Sequence, residues 1–399
     1  MRRRAWFVPG RIEVLGKHTD YAGGRSLLCA IDRGFRIEAA PRDDSIVTVT
    51  DRRGGASIAL PIDPQLPPAP GDWPHYARTV VRRFARDFPS ARRGADLIFE
   101  SDLPAAAGLS SSSAFIVSVF LALAGLNDLS HDKAYTESIR TLEDLATYLS
   151  AVENGSAFGP LRADEGVGTA GGSEDHTAML CCREGRVSQF RFYPTRFERS
   201  IELPERYTFA VAASGVAAEK AGAAREPYNR AAHLAKLVLE AWHAAAGSAD
   251  ASLGDAVRST PDAPEQIRRV LTRPELIDRF EQFVEESESI VPAAGDALAD
   301  GRLEEFGRIV DRSQHLAEQK LRNQVPETVA LAIAARENGA LAASSFGAGF
   351  GGAVWALVEA ANAGPFLAGW LEAYRRQFGD AAARAEFFVS RPGHAAREI

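Results

Sequence analysis

The chain has 399 residues, 46% of them hydrophobic and 25% charged, with a formal net charge of −7. This is an ordinary globular balance, able to fill a large core, and the acidic excess gives no general attraction to nucleic acid or to an anionic membrane. The three cysteines, Cys29 and the adjacent Cys181 and Cys182, make neither a disulfide framework nor a spaced zinc motif, which fits a reducing cytoplasm.

The chain opens with three arginines, but Pro9, Gly10 and Arg11 interrupt the apolar stretch behind them, so no signal-peptide core forms. A strand-like stretch then runs into the polar cluster 16–24. Residues 66–74, rich in proline, read as a loop. Residues 94–101 set Ala95, Leu97 and Phe99 on one face, a strand pattern. Residues 110–125 read as a helix, serines at its start and Gly125 at its end, apolar nearly all round and therefore buried. Its apolar run contains Ser118 and is too short to span a bilayer.

The second half is richer in amphipathic helix. The periodicity predicts helices over 229–245, 274–299, 304–319, 327–338 and 365–378, with strands over 207–213, 354–358 and 386–390 between them. Strands and helices mixed without strict βαβα alternation predict an α+β fold. The expected division falls near Leu203 and Pro204, giving units of 1–203 and 204–399.

Four segments carry chemistry. The first, 9–24, sets Arg11, Lys17, His18, Asp20 and Tyr21 between glycines. Asp accepts hydroxyl protons while Arg and Lys donate, which suits a polyhydroxyl ligand, although Gly-Gly with Asp also forms ordinary turns. The second, 104–114, joins a strand through small residues to a buried helix. Free N–H groups and the helix dipole at such a tip favour a phosphate, and serine hydroxyls can ligate Mg²⁺; a plain serine-capped helix has the same pattern. It lacks the Gly-Lys-Ser/Thr ending of a Walker loop. The third, 346–352, is glycine-rich and suits either close approach to a ligand or a hairpin turn. The fourth, 171–176, follows Glu153 and offers carboxylates as base or metal ligand, or a surface loop.

Taken together and in this order, the segments resemble the GHMP small-molecule kinase superfamily, and within it galactokinase. Residues 10–24 are similar to the signature GR-x-N-L-I-G-E-H-T-D-Y-N-G-G, residues 104–114 to the phosphate loop P-x-G-x-G-L-S-S-S-A, and residues 346–352 to the third motif G-G-G-F-G-G. The resemblance implies a two-domain fold with the site in the cleft between the lobes. It implies an ATP- and Mg²⁺-dependent kinase phosphorylating the anomeric C1 hydroxyl of a galactose-like sugar, cytoplasmic, monomeric or homodimeric, with no nucleic-acid or membrane partner.

By position, Asp175 matches the catalytic base and Arg11 the arginine beside the reacting hydroxyl. Lys17, His18, Asp20, Gly172 and Tyr228 match sugar-contacting positions. Pro104, Gly108, Leu109, Ser110, Ser111, Ser112, Gly347 and Gly349 match the ATP site. Ser111, Ser112 and Glu153 match the metal site.

Three departures stand out. Lys17 replaces a glutamate that helps bind the exocyclic 6-hydroxyl, which points to galacturonate or L-arabinose as alternative substrates. Ala106 replaces a glycine. Ser113 replaces an alanine, so the serine register is open to a shift of one. The segment 158–170 is expected to cover the substrate. Two alternatives remain: a kinase of mevalonate-type or homoserine-type substrates, opposed by the His18-Thr19-Asp20-Tyr21 cluster, and a non-catalytic sugar and nucleotide sensor, opposed by the complete serine run and by Asp175.

Overall fold

In the computed structural model the structure describes residues 3–68, 73–105, 107–218 and 225–399; the Ala106 departure and part of the 66–74 loop fall outside them. Two sheets organise the chain. The first contains β1 (Arg4–Leu15), β2 (Arg25–Pro41), β3 (Ile46–Asp51), β4 (Ser57–Pro61), β5 (Ala95–Ser101), β6 (Arg186–Arg191) and β7 (Arg196–Glu202). The second contains β8 (Tyr207–Ala213), β9 (Ala342–Phe346), β10 (Ala353–Glu359) and β11 (Glu386–Ser390), in the order β11-β8-β10-β9 and antiparallel throughout. A last short strand, β12 (Arg397–Glu398), returns to pair with β1. In the first sheet only β3 and β5 run parallel.

β1 positions the site. Proline cannot donate to a ladder and is confined to edges and bulges. Accordingly the β1–β2 register shifts between Pro9 and Arg11, and again between Glu13 and Leu15. Irregularities of this kind re-aim side chains, and Arg11 and Glu13 lie between the two.

The Ser111–Leu126 helix packs on this sheet, apolar all round as expected. Phe115 meets Phe99 with centroids 4.8 Å apart and Phe35 at 5.7 Å. A Phe115→Ala change here costs about 3–5 kcal/mol. Trp73, within the predicted 66–74 loop, instead opens a helix, Trp73–Asp87. Its ring packs on Phe99 at 5.2 Å, an apolar contact that overrides the loop composition.

The 274–299 helix exists but is not uniform: Pro274–Val284 and Val291–Ala299 flank a π-turn, Glu285–Ile290. The 304–319 helix likewise runs Leu303–Leu316 and then into a π-turn, Ala317–Leu321. The strands predicted over 207–213 and 386–390 have the expected ends, and the other predicted elements of the second half are present with shifted ends, the largest extension being Arg225–Ala246.

Candidate active site

A cleft opens between β1, the Glu174–Cys181 helix and the β9–β10 turn. Arg11 and Asp175 meet in it. The Arg11 guanidinium donates through Nε to Asp175 Oδ1 at 2.8 Å, with Nη2 2.7 Å from the same oxygen. Burial alone would pull Arg11 down, but Asp175, Glu174 and Glu13 outweigh it and hold its pKa above the ordinary value. Nη1 of Arg11 donates to the Gly108 carbonyl, so one side chain touches both the expected base and the expected phosphate loop.

Asp175 is the second residue of its helix, Glu174–Cys181. The backbone N–H of Glu174 donates to Asp20 Oδ2 at 3.1 Å. Gly172 must be glycine, because a Cβ there would lie 2.4 Å from that same Asp20 oxygen. Tyr228 lies across the cleft, its ring 5.2 Å from that of His18. His18, Asp20, Gly172 and Tyr228 all line the cleft, as the sequence suggests.

Lys17 does not follow them. Its side chain is 1% exposed, and its Nζ donates to Ser313 Oγ at 3.0 Å on the far side of the turn. Ser313 in turn donates to Glu286 at 2.9 Å. The lysine charge is therefore directed away from the cleft, and the case for an anionic substituent at C6 loses its basis. The acids facing the cleft include Glu13, Asp20, Glu153, Glu174 and Asp175, which is a poor environment for a carboxylate.

Glu13 and Glu174 were not singled out in the sequence. Glu13 stands where the signature has asparagine, and that mismatch was the available signal. Glu13 Oε2 accepts from the Gly347 N–H at 3.2 Å. Burial, only partly offset by Lys17 and Arg11, pushes its pKa up to about 7.

At the helix tip Gly108 and Ser110 take left-handed φ values of 75° and 59°. The Ser110 hydroxyl is buried and has no hydrogen-bond partner among the described residues. An orphaned hydroxyl at a helix N-terminus fits a phosphate oxygen. Gly347, φ +78°, abuts the loop so closely that a Cβ would sit 2.7 Å from the Gly108 carbonyl oxygen.

The serine that contacts the cleft acids is the third of the helix. Ser113, rather than Ser111 or Ser112, donates to Glu153 Oε2 at 2.8 Å and to Asp175 Oδ2 at 3.4 Å. His176 Nε2 lies 3.2 Å from the same Glu153 oxygen. Among the described residues no three His, Cys, Asp or Glu side chains form a metal cage. A carboxylate with a neighbouring hydroxyl fits Mg²⁺, which characteristically completes its shell with phosphate oxygens and water.

The 158–170 segment is anchored away from the cleft, Arg82 binding Asp164 at 2.7 Å. Only its end, at Thr169, reaches the cleft wall. Trp73 is engaged with Phe99 and Phe115.

Comparison with known proteins gives a consistent picture. Residues 2–41 match the galactokinase galactose-binding signature, 75–159 the GHMP kinases N terminal domain and 295–376 the GHMP kinases C terminal family. The chain is 31% identical over 375 residues to a galactokinase of Chloroflexus aggregans, covering 92% of this chain and 87% of that protein. It is 25% identical to a galactokinase of Exiguobacterium sibiricum, over 99% and 93%. The crystal structure of Lactococcus lactis galactokinase complexed with galactose superimposes with a TM-score of 0.83 at 22% identity, covering 100% of this chain and 95% of that one. A mevalonate kinase structure superimposes with a TM-score of 0.58 at 16% identity, over 97% and 98%.

Proposed function

Since the chain belongs to the galactokinase family of GHMP kinases, we propose that it transfers the γ-phosphoryl group of ATP to the anomeric C1 hydroxyl of galactose or a close neutral relative. The observation that carries this reading is the Arg11–Asp175 pair, set between a cleft lined by hydroxyl-binding groups and a helix tip with an orphaned serine hydroxyl.

Phosphoryl transfer needs in-line placement and neutralised charge more than covalent help. Asp175 orients the C1 hydroxyl and accepts its proton as the O–P bond forms. An anomeric hydroxyl is more acidic than an ordinary alcohol, so a carboxylate is an adequate base. Arg11 fixes Asp175 in place through two donors, and the same guanidinium holds the Gly108 carbonyl. The free N–H groups and the Ser110 hydroxyl at the tip of the Ser111–Leu126 helix receive the phosphates. Glu153 with Ser113 would hold Mg²⁺, which when bound neutralises charge on the β- and γ-phosphates.

A sugar panel tests the proposal. ADP release with galactose, L-arabinose, galacturonate and glucuronate should be strongest with galactose, weaker with L-arabinose and least with the two uronic acids. Sugar binding without ADP release from any of them would instead establish a sensor.

A further inference from the structure

The turn that carries His18 is gripped by one stripe of a helix from the other half of the chain. Arg279, Gln282 and Glu286 stand three and four residues apart, which places them on one face, and none is more than 2% exposed. Arg279 Nη2 donates to the His18 carbonyl at 2.5 Å and to Tyr21 Oη at 3.2 Å. Gln282 Nε2 donates to the Lys17 carbonyl at 3.1 Å. Glu286 Oε1 accepts the backbone N–H groups of Gly16 at 2.8 Å and Lys17 at 3.3 Å. Glu286 lies in the π-turn, a helix irregularity frequent at functional sites.

Burying an arginine, an amide and a carboxylate on one helix face is costly unless each is bonded. Here their bonds converge on three consecutive residues of the sugar motif. The middle of the grip is conformationally uncommon: His18 has φ +58°, a region that non-glycine residues seldom adopt. The ring of His18 is fixed as well, with Nδ1 2.8 Å from Tyr21 Oη and Nε2 2.9 Å from the Ala348 carbonyl. That carbonyl can only accept, so Nε2 carries a hydrogen, while Nδ1 pairs with the Tyr21 hydroxyl, whose oxygen accepts from Arg279.

We propose that Arg279, Gln282 and Glu286 are positioning residues for the sugar. They hold the 16–18 turn in its left-handed form from the C-terminal half, and so set the cleft wall that His18 presents. Lys17 is tied to Glu286 through Ser313 within this device and is not a sugar ligand. The inference rests on the reading that the sugar occupies this cleft.

Galactose affinity measured by calorimetry without nucleotide, beside steady-state kinetics, tests it. Arg279→Met and Glu286→Ala should weaken galactose binding by about tenfold or more, as misplacement of a positioning group does, while KM for ATP stays within about twofold. Glu286→Gln, which keeps an acceptor for the Gly16 N–H, should recover most of the loss. Gln282→Leu removes one N–H and serves if the larger changes do not fold. Folded variants with unchanged galactose affinity, or with sugar and ATP affected equally, overturn the inference alone. A wild-type protein that binds no aldose overturns both the inference and the reading of the cleft.

Discussion

Glu13 and Glu174 lie together in the buried floor of the cleft, two carboxyls from β1 and from the helix that carries Asp175. Burial pushes both up, Glu13 to about 7 and Glu174 well above the ordinary carboxyl value, with the repulsion of Glu13 adding to the latter. Such a pair retains a proton that an unfolded chain would have released.

A pH dependence of stability follows. Glu13 titrates at 4.5 when unfolded and at about 7 when folded, so the folded state binds the extra proton between those values. Its contribution is fully present below pH 4.5 and is lost as pH rises through about 7. Glu13→Gln should flatten this slope and stabilise the protein above that range by on the order of 2 kcal/mol. Urea midpoints of both proteins across the pH range would show it, and parallel curves would refute the shared proton.

Replacing the expected base has a distinct signature. Asp175→Asn should lower kcat by about 10²–10⁴-fold, the usual worth of a general base, while galactose affinity changes far less. Arg11→Lys should also lower kcat, because a lysine cannot reproduce the two donors that hold Asp175. Calorimetry and an ADP-release assay on the same preparations separate binding from turnover. Full activity in Asp175→Asn would remove the proposed mechanism.

The serine register predicts an order among three variants. Ser113 meets Glu153, and Ser111 and Ser112 are half-buried neighbours without that contact. Ser113→Ala should therefore raise the Mg²⁺ concentration for half-maximal activity more than Ser111→Ala does. A Mg²⁺ titration of each variant is sufficient, and the reverse order would return the metal to the first two serines.

Lys17→Met isolates the buried ammonium. Removing it breaks the buried Lys17–Ser313–Glu286 hydrogen-bond chain and takes away the charge that lowers Glu13, so the denaturant midpoint should fall. The ratio of galactose to galacturonate turnover should not change, since the ammonium bonds to Ser313 on the far side of the turn. A shift of that ratio towards galactose would restore Lys17 as a sugar ligand.

Local punctuation made much of the site legible. Glycines and a serine run mark the helix tip at 104–114 and the β9–β10 turn whatever the rest of the chain does. Which serine meets Glu153 is not legible in the same way. Successive helical residues point about 100° apart, so an uncertainty of one residue in the helix start moves the contact from Ser112 to Ser113. β1 reads only as a strand-like stretch and β2 gives no signal, since residues such as Val8, Ile12 and Val14 are all buried and the alternation that marks a half-exposed strand is absent. Arg279, Gln282 and Glu286 left no trace, being ordinary polar residues of an amphipathic helix until the fold sets them against residues 16–18. The direction of Lys17 was likewise a tertiary fact, decided by Ser313 nearly three hundred positions away.

The fork of Arg11 spans two territories, clasping the Gly108 carbonyl with one nitrogen and the Asp175 carboxylate with the others. If nucleotide binds at the loop and sugar at the base, as proposed, and each moves its contact on Arg11, the shared guanidinium couples the two sites. Thermodynamic reciprocity then requires each ligand to alter the other's affinity by one common factor.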